Sequence, residues 1–173
     1  MCINPTELVS FFLKKKVNLF VGVPDSILSS FINKINNFKS SINHIITANE
    51  GNAIAVAMGN EMGSKKPAVV YLQNSGMGNA FNPIISLADK EIYSIPMFLV
   101  IGWRGAPNIE DEPQHKKQGK ITKDLLKIMG IPFKVLDKTK TVQLNLEELW
   151  NIMINESRPV AILIKEGTIE KEI

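Results

Sequence analysis

Six short apolar runs alternate with six segments of helical pattern along the 173 residues of this chain. Several of these runs are apolar without alternation, which is typical of strands covered by helices on both faces. The strand candidates are Asn18–Val23, His44–Thr47, Ala68–Gln73, Pro96–Ile101, Phe133–Leu136 and Val160–Lys165. Strand–helix alternation at this spacing predicts a six-stranded parallel sheet with right-handed crossovers and helices on both faces, a doubly wound α/β domain.

The helical segments carry recognisable start and stop signals. The first, about Pro5–Lys16, has Asn4 as a candidate N-cap and a proline in its first turn. Gly63 and Gly130 are predicted to end helices. The other helices are expected to follow Asp25, Glu50, Gly78, Gly119 and Asn145.

Composition narrows the class of protein. The length fits one domain, which we place at residues 1–166, with residues 167–173 as a charged tail or the start of a linker. The net charge of +3 comes mostly from scattered lysines, which is not a nucleic-acid footprint. The single Cys2 excludes an internal disulfide framework, and no apolar run reaches membrane-spanning length. We therefore expect a soluble cytoplasmic protein that binds neither nucleic acid nor membrane.

Polar residues follow four of the predicted strands. Ligands of an open parallel sheet collect beyond the carboxyl ends of its strands, so these loops are the candidate site. The longest, Gly102–Gly119, exceeds what a compact domain needs, and long loops are commonly functional. The other three read Pro24-Asp25-Ser26, Ala48-Asn49-Glu50-Gly51-Asn52 and Asn74-Ser75-Gly76-Met77-Gly78-Asn79.

Glu50 has two interpretations. Thr47 and Glu50 have the spacing of a capping box, in which each side chain bonds the other's backbone N–H. However, the following run, 53–58, has almost no polar face and is expected to be buried nearly all round. A carboxylate beside so apolar a surface has its charged form disfavoured by desolvation, which suits proton transfer.

The remaining candidates also have a structural and a functional interpretation, and for His115 the spacing alone favours the structural one. Asp25 can cap the following helix or act in catalysis. The glycines of Gly76-Met77-Gly78 indicate either a tight turn or close approach of the backbone to a ligand. His115 is either a solvated loop histidine or a catalytic group, whereas His44, in a strand, is expected to be structural. Arg104 can bind an anion in bidentate fashion or hold its loop to an acidic neighbour.

Taken together, these segments resemble the pyrimidine-binding domain of the thiamine-diphosphate-dependent 2-oxoacid decarboxylases. The blocks that carry the resemblance, which covers most of the chain, are GVPDS (22–26), ITANEGNAIAVA (46–57), VVYLQNSGMGNAFNPIISLADKEIYSIPMFLVIGWRG (69–105) and DEPQHKKQG (111–119). ANEGNA and DEPQH favour the members that act on 3-phosphonopyruvate, giving phosphonoacetaldehyde and CO₂. Those that act on sulfopyruvate are near relatives, and the sequence does not weigh sulfonate against phosphonate recognition.

The resemblance implies a role for each matching residue. Glu50 matches the glutamate that hydrogen-bonds N1′ of the cofactor's aminopyrimidine and so promotes its activation. Asp25 and His115 match polar groups near the reacting carbon and are candidates for proton transfer. Pro24, Gln73, Gly76 and Asn79 would lie against the pyrimidine or the facing domain. Ser26 and Arg104 are candidates for holding the substrate's phosphonate or carboxylate.

One half of the family's machinery is missing from this sequence. The family holds Mg²⁺ and the cofactor's diphosphate with a Gly-Asp-Gly motif and a downstream Asn in a second domain, and no Gly-Asp-Gly occurs here. The resemblance therefore implies that this chain is one subunit of a split enzyme or the N-terminal part of a longer one. We expect an oligomer that is inactive without the diphosphate-binding half. A non-catalytic binding module of the same fold is the alternative.

Overall fold

The computed structural model describes residues 2–38, 42–136 and 142–171, and its centre is one six-stranded sheet. Every strand pair is parallel, and the order across the sheet is β2-β1-β3-β4-β6-β5. The strands are β1 (Leu19–Gly22), β2 (Asn43–Ile46), β3 (Ala68–Gln73), β4 (Met97–Gly102), β5 (Phe133–Leu136) and β6 (Val160–Ile164). The predicted doubly wound α/β fold is confirmed.

Six α-helices of the described segments cover the sheet on both faces. They are α1 (Pro5–Lys14), α2 (Ser29–Asn36), α3 (Glu50–Ser64), α4 (Met77–Pro83), α5 (Pro113–Ile128) and α6 (Val142–Glu156). One apolar core lies under α1, α2 and α6, and the other lies under α3, α4 and α5. Successive residues of β3 enter opposite cores, Tyr71 the first and Val70 the second, which explains why the strand shows no polar alternation.

Several predicted helix boundaries need correction. α1 has Asn4 as its N-cap, as predicted, because the Asn4 side chain accepts a hydrogen bond from the Thr6 N–H over 2.8 Å. α2 begins at Ser29, after a turn in which the Leu28 N–H bonds the Asp25 carbonyl. α5 begins at Pro113, six residues before Gly119, because a proline fits a first helical turn and lacks the N–H that would go unbonded there.

The prediction that α3 is buried nearly all round is wrong. Ala53 and Ala57 are buried on the face toward the sheet, whereas Ala55 and Gly59 are exposed, because no described residue covers that side of the helix. Gly63 does not end α3 either: the helix continues to Ser64 and ends at Lys65 in a left-handed conformation. Gly130 does follow the end of α5, at a positive φ of 65° that favours glycine.

The two described ends of the chain meet beside the sheet. Ile3 forms a parallel bridge with Ile169, and both side chains are buried. The Cys2 thiol lies 3.4 Å from the carbonyl oxygen of Gly167. Residues 167–171 therefore pack against the start of the chain, while residues 172–173 lie outside the described part. No helix in the described ranges has the length and apolarity needed to cross a membrane.

His44 has the structural surroundings predicted for it. Its Nε2 lies 2.8 Å from the Tyr71 hydroxyl, and its Nδ1 lies 2.9 Å from Oδ1 of Asn36. Tyr71 is fully buried, and burial raises the pKa of its hydroxyl to about 12. These contacts join the edge strand β2 to the centre of the sheet.

Candidate active site at the carboxyl edge of the sheet

The polar loops predicted from the sequence meet at one edge of the sheet. Strands β2, β1, β3 and β4 are consecutive neighbours, so the segments that leave their carboxyl ends lie side by side. The contacts sort the candidate residues into two groups. The first, the glutamate group, consists of Glu50, Gly76 and Asn79; the second, the arginine group, consists of Asp25, Ser26, Arg104, Asp111 and Glu166.

Glu50 is the first residue of α3 and does not cap it. The cap is Asn49, whose Oδ1 accepts a hydrogen bond from the Asn52 N–H over 3.0 Å. The Thr47 hydroxyl donates instead to the carbonyls of Gly22 and Asn49, at 3.3 and 3.0 Å. The capping box is therefore wrong, since Thr47 is engaged by the neighbouring strand and a better-placed acceptor stands beside Glu50.

The glutamate group is held by close approach of a backbone turn. Nδ2 of Asn79, on α4, donates to Oε2 of Glu50 over 2.8 Å. Gly76 ends a 3₁₀ turn between β3 and α4, and a Cβ atom built there would lie 2.2 Å from the Glu50 carboxyl carbon. Only glycine fits that contact. Gly78, two residues on, has open space around it, so the two glycines have different roles.

Asp25 is a buried member of the arginine group. It is 7% exposed, and its Oδ1 accepts a hydrogen bond from the Ile27 N–H over 2.9 Å. Gly102, at the end of β4, leaves room for this carboxylate, because a Cβ there would lie 2.4 Å from Oδ1. Burial raises the pKa of Asp25 above its ordinary value, and the Arg104 charge and nearby backbone N–H groups offset part of the increase.

Arg104 is the centre of its group. Its guanidinium lies 3.8 Å from Asp25, 3.4 Å from Asp111 and 4.0 Å from Glu166. Its Nη2 also donates to the Ser26 hydroxyl. The side chains of Arg104, Asp25 and Asp111 are 20%, 2% and 6% exposed, so these two ion pairs lie mostly out of bulk water, whereas Glu166 is 48% exposed.

Asn74 fixes the backbone of Arg104 from the neighbouring strand end. The Asn74 side chain accepts the Arg104 N–H and donates to the Arg104 carbonyl, both at 3.0 Å. Its Nδ2 also lies 2.9 Å from the hydroxyl of Thr122, on α5. Because Asn74 begins the turn that ends at Gly76, one short segment contacts both groups.

His115 lies in the first turn of α5 rather than in a loop, which corrects that part of its interpretation. The segment before it is fixed by Asp111, which accepts the N–H groups of Gly105 and Glu112, both at 2.8 Å. Burial acts to raise the pKa of Asp111, but these bonds and the charges of Arg104 and His115 outweigh it and lower the pKa overall. His115 is thereby placed beside the arginine group.

Two predicted residues have fewer contacts. Pro24 is exposed in the segment between β1 and Asp25. Gln73, the last residue of β3, is half-buried, and its Nε2 donates to the Ser75 hydroxyl over 2.6 Å. Both stand at the same edge as Glu50.

Three residues of the site were not among those predicted. Glu166 follows the end of β6, so the strand-end rule would have found it had it been applied to that strand. Asp111 lies in the DEPQH block but was not assigned a role. Asn74 is 2% exposed, and its function depends on the adjacency of β3 and β4, which the sequence does not reveal.

The arginine group borders an open cavity of about 470 Å³. Its lining is mostly charged, with acidic residues in the majority: Arg104, Glu110, Asp111, Glu112, Lys116 and Glu166. Within the described ranges, no set of three or more His, Cys, Asp or Glu side chains is arranged to hold a metal ion.

Known proteins resemble this chain in sequence. It is 30% identical over 171 residues to "Phosphonopyruvate decarboxylase" of Streptomyces viridochromogenes, an alignment that covers 98% of this chain and 42% of that protein. It is 32% identical over 162 residues to "Sulfopyruvate decarboxylase subunit alpha" of Methanococcus maripaludis, covering 93% of this chain and 94% of that subunit. The chain thus spans about two fifths of the first relative and nearly all of the second.

The fold also has solved counterparts. The benzoylformate decarboxylase from Polynucleobacter necessarius superposes on the whole of this chain with a TM-score of 0.75, using 32% of its own length. At 19% identity, this likeness concerns the fold alone.

Most of the sequence also matches the model of a protein family. Residues 4–128 match the family described as "Thiamine pyrophosphate enzyme, N-terminal TPP binding domain". The match includes both groups of the site except Glu166. The chain belongs to the N-terminal TPP-binding domain family of the thiamine pyrophosphate enzymes.

Proposed function

We propose that this chain is the pyrimidine-binding half of a thiamine-diphosphate-dependent decarboxylase that converts 3-phosphonopyruvate to phosphonoacetaldehyde and CO₂. The observation that carries the proposal is the glutamate group, in which a half-buried carboxylate stands at the carboxyl edge of the sheet against a glycine backbone. The similarity to phosphonopyruvate decarboxylase over 98% of the chain supports the substrate.

The glutamate group fits an aminopyrimidine ring. Oε2 of Glu50 is bonded by Asn79, and among the described residues no donor reaches Oε1. A carboxylate oxygen that lacks a donor can accept a hydrogen bond from a protonated ring nitrogen. The absence of a side chain at Gly76 lets the Glu50 carboxylate pack directly against the turn.

The chain's residues then have distinct tasks. Glu50 holds a proton at ring nitrogen N1′, and Asn79 orients the Glu50 carboxylate. The cofactor supplies an electron sink that no side chain can provide. Asp25 and His115 are the candidates for moving protons at the reacting carbon, and the raised pKa of Asp25 suits a group that must carry a proton. Pro24 and Gln73 border the space for the pyrimidine.

The cofactor's diphosphate and its Mg²⁺ are assigned to a partner. No Gly-Asp-Gly motif occurs in the sequence, and acidic residues dominate the cavity of the arginine group, which does not suit a diphosphate. We infer that a diphosphate-binding domain or subunit completes the site in an oligomer. The Methanococcus maripaludis relative is named as a "subunit alpha", which supports a partner chain.

Sulfopyruvate decarboxylation is the second candidate function. This chain is 32% identical to the sulfopyruvate subunit and 30% identical to the phosphonopyruvate enzyme, so the similarity supports both substrates. The two substrates differ in the anionic group on C3. Comparing both 2-oxoacids in one assay decides between the two functions.

The test of the proposal is Glu50→Gln in the complex with the diphosphate-binding partner. Glutamine keeps the shape of the side chain but does not take up a proton, so we expect kcat to fall by about 10²- to 10⁴-fold. Thermal unfolding of the isolated chain should be unchanged, which separates lost chemistry from lost folding. Full CO₂ release by the variant would refute the proposal, as would wild-type inactivity toward both substrates.

A further inference from the structure

Groups of the same chain surround the guanidinium of Arg104, although its Nε has no hydrogen-bond partner among the described residues. It lies within 4.0 Å of three carboxylates, which come from the segments after β1, after β4 and after β6. Its Nη2 also donates to Ser26, which was predicted together with Arg104 to hold the substrate's anion. A substrate anion that bound Nη1 or Nη2 would compete with these partners.

The charge around Arg104 is also wrong for an anion. Among the described residues, the cavity beside it is lined by four carboxylates and two cationic side chains. A 2-oxoacid with a phosphonate or sulfonate group carries at least two negative charges, and like charges at close range repel. This cavity therefore disfavours the substrate's anionic group.

The backbone of Arg104 is held as firmly as its side chain. The Asn74 side chain forms hydrogen bonds with both the N–H and the carbonyl of Arg104, and Asn74 itself is only 2% exposed. An arginine whose backbone and guanidinium are both held in place is suited to orienting the side chains that it contacts. These include Asp25, a candidate for proton transfer, and Asp111, which fixes the segment before His115.

We propose that Arg104 is a positioning residue that orients the Asp25 and Asp111 carboxylates and is not a ligand of the substrate's anionic group. The orientation concerns this chain alone, whereas the statement about the substrate rests on the proposed function. Asp25 is faced by Arg104 from the segment after β4, and Arg104 in turn is faced by Asp111 and Glu166. Removing the guanidinium therefore leaves three carboxylates without their common counter-charge.

The first test needs no activity. The ¹³C signal of the Asp25 carboxyl carbon, assigned by its loss in Asp25→Asn, is followed through a pH titration of the chain. We expect Arg104→Gln to move the titration midpoint upward and Arg104→Lys to move it less, because lysine keeps the charge. Arg158, which pairs with Glu156 and Gly130, gives the matched control Arg158→Gln, whose Asp25 midpoint should equal that of the wild type. An unchanged midpoint in Arg104→Gln would overturn the proposal.

The second test uses the complex with the diphosphate-binding partner and 3-phosphonopyruvate. Since misplacement of a catalytic group by an ångström costs about 100-fold in rate, we expect Arg104→Lys to lower kcat by about 10- to 100-fold. KM should stay within about threefold of the wild type, because no substrate contact is lost. A rise in KM that exceeds the fall in kcat would identify Arg104 as an anion ligand and overturn the proposal. If the wild-type complex itself is inactive, the proposed function fails, while the titration still decides the role of Arg104.

Discussion

The amide of Asn79 and the carboxylate of Glu50 meet at 2.8 Å although 29 residues separate them in the sequence. The pair joins the start of α3 to α4 across the turn that contains Gly76. A carboxylate that accepts one hydrogen bond from a neutral amide has a second oxygen with which to bind a ligand. The carboxylate of a capping glutamate would instead accept a hydrogen bond from the backbone of its own helix. This contact distinguishes Glu50 from a glutamate that only caps its helix.

The two glycines of the turn should respond differently to a methyl group. Gly76→Ala places a Cβ 2.2 Å from the Glu50 carboxyl carbon, so we expect the carboxylate to be displaced and turnover to fall by about 100-fold or more. Gly78→Ala meets nothing within 4 Å and should leave turnover unchanged. It should also stabilise α4 by about 0.5–1 kcal/mol, measured by denaturant unfolding. Equal activity of the two variants would contradict this account of Gly76.

Removing the amide at position 79 tests the orientation of Glu50. In Asn79→Ala the carboxylate loses its donor, and we expect kcat to fall by about 10- to 100-fold, since a hydrogen bond to a charged group contributes about 1.5–3 kcal/mol. Asn79 is exposed, so the melting temperature should hardly change. Asn82 is also an exposed residue of α4, and Asn82→Ala, which removes a bond from Ser86, serves as the control. A matching loss of activity in both variants would point to the helix rather than to Glu50.

Asp25 should reduce the stability of the chain at neutral pH. Folding raises the pKa of Asp25, so above about pH 3.8 the folded state keeps a proton that the unfolded state releases. Stability is therefore lost as the pH rises through the folded-state pKa. Asp25→Asn keeps the acceptor for the Ile27 N–H and removes the buried charge, so its melting temperature should exceed that of the wild type at about pH 7.

The pH dependence of that difference is the control. The advantage of Asp25→Asn should shrink as the pH falls and should vanish well below pH 3.8, where the wild-type carboxyl is protonated in both states. The same variant should lose decarboxylase activity, because an amide does not transfer the proton. A variant that is less stable than the wild type at neutral pH would show that the Arg104 charge outweighs burial.

Tyr71 should make the chain sensitive to alkali. Its folded-state pKa of about 12 exceeds the ordinary 10.0, so the unfolded state loses this proton first. Between these values the free energy of unfolding should fall by up to about 1.4 kcal/mol per pH unit, and Tyr71→Phe should lack this component. At neutral pH the variant forfeits the bond to His44 and should be about 1 kcal/mol less stable. Tyr93 is 68% exposed, so the control variant Tyr93→Phe should not change stability at neutral pH.

The sheet was largely readable from the sequence because each strand is an uninterrupted apolar run. The predicted bounds Ala68–Gln73 and Phe133–Leu136 coincide with β3 and β5. Helix starts were less readable, because several neighbouring residues can each serve as a cap. Asn49 caps α3 only because the Thr47 hydroxyl turns to Gly22 on the adjacent strand, a contact that requires the sheet to exist.

The site was readable as a set of loops but not as a set of contacts. The rule that ligands collect at strand ends places Asp25, Glu50 and Arg104 at one edge. It does not say that β1 lies between β2 and β3, nor that Asn74 reaches across to Arg104. Charge partners at a distance of 30 or more residues depend on strand order, and strand order is not encoded in any local pattern.

The meeting of the chain's two ends gives the single cysteine a practical value. Cys2 is half-buried, and its thiol lies against Gly167, the neighbour of Glu166 in the arginine group. A small fluorophore on this one thiol would therefore sit near the edge where a partner is expected, without altering Glu50 or Asp25. The docking of the second half could then be followed by emission alone, before any substrate is added.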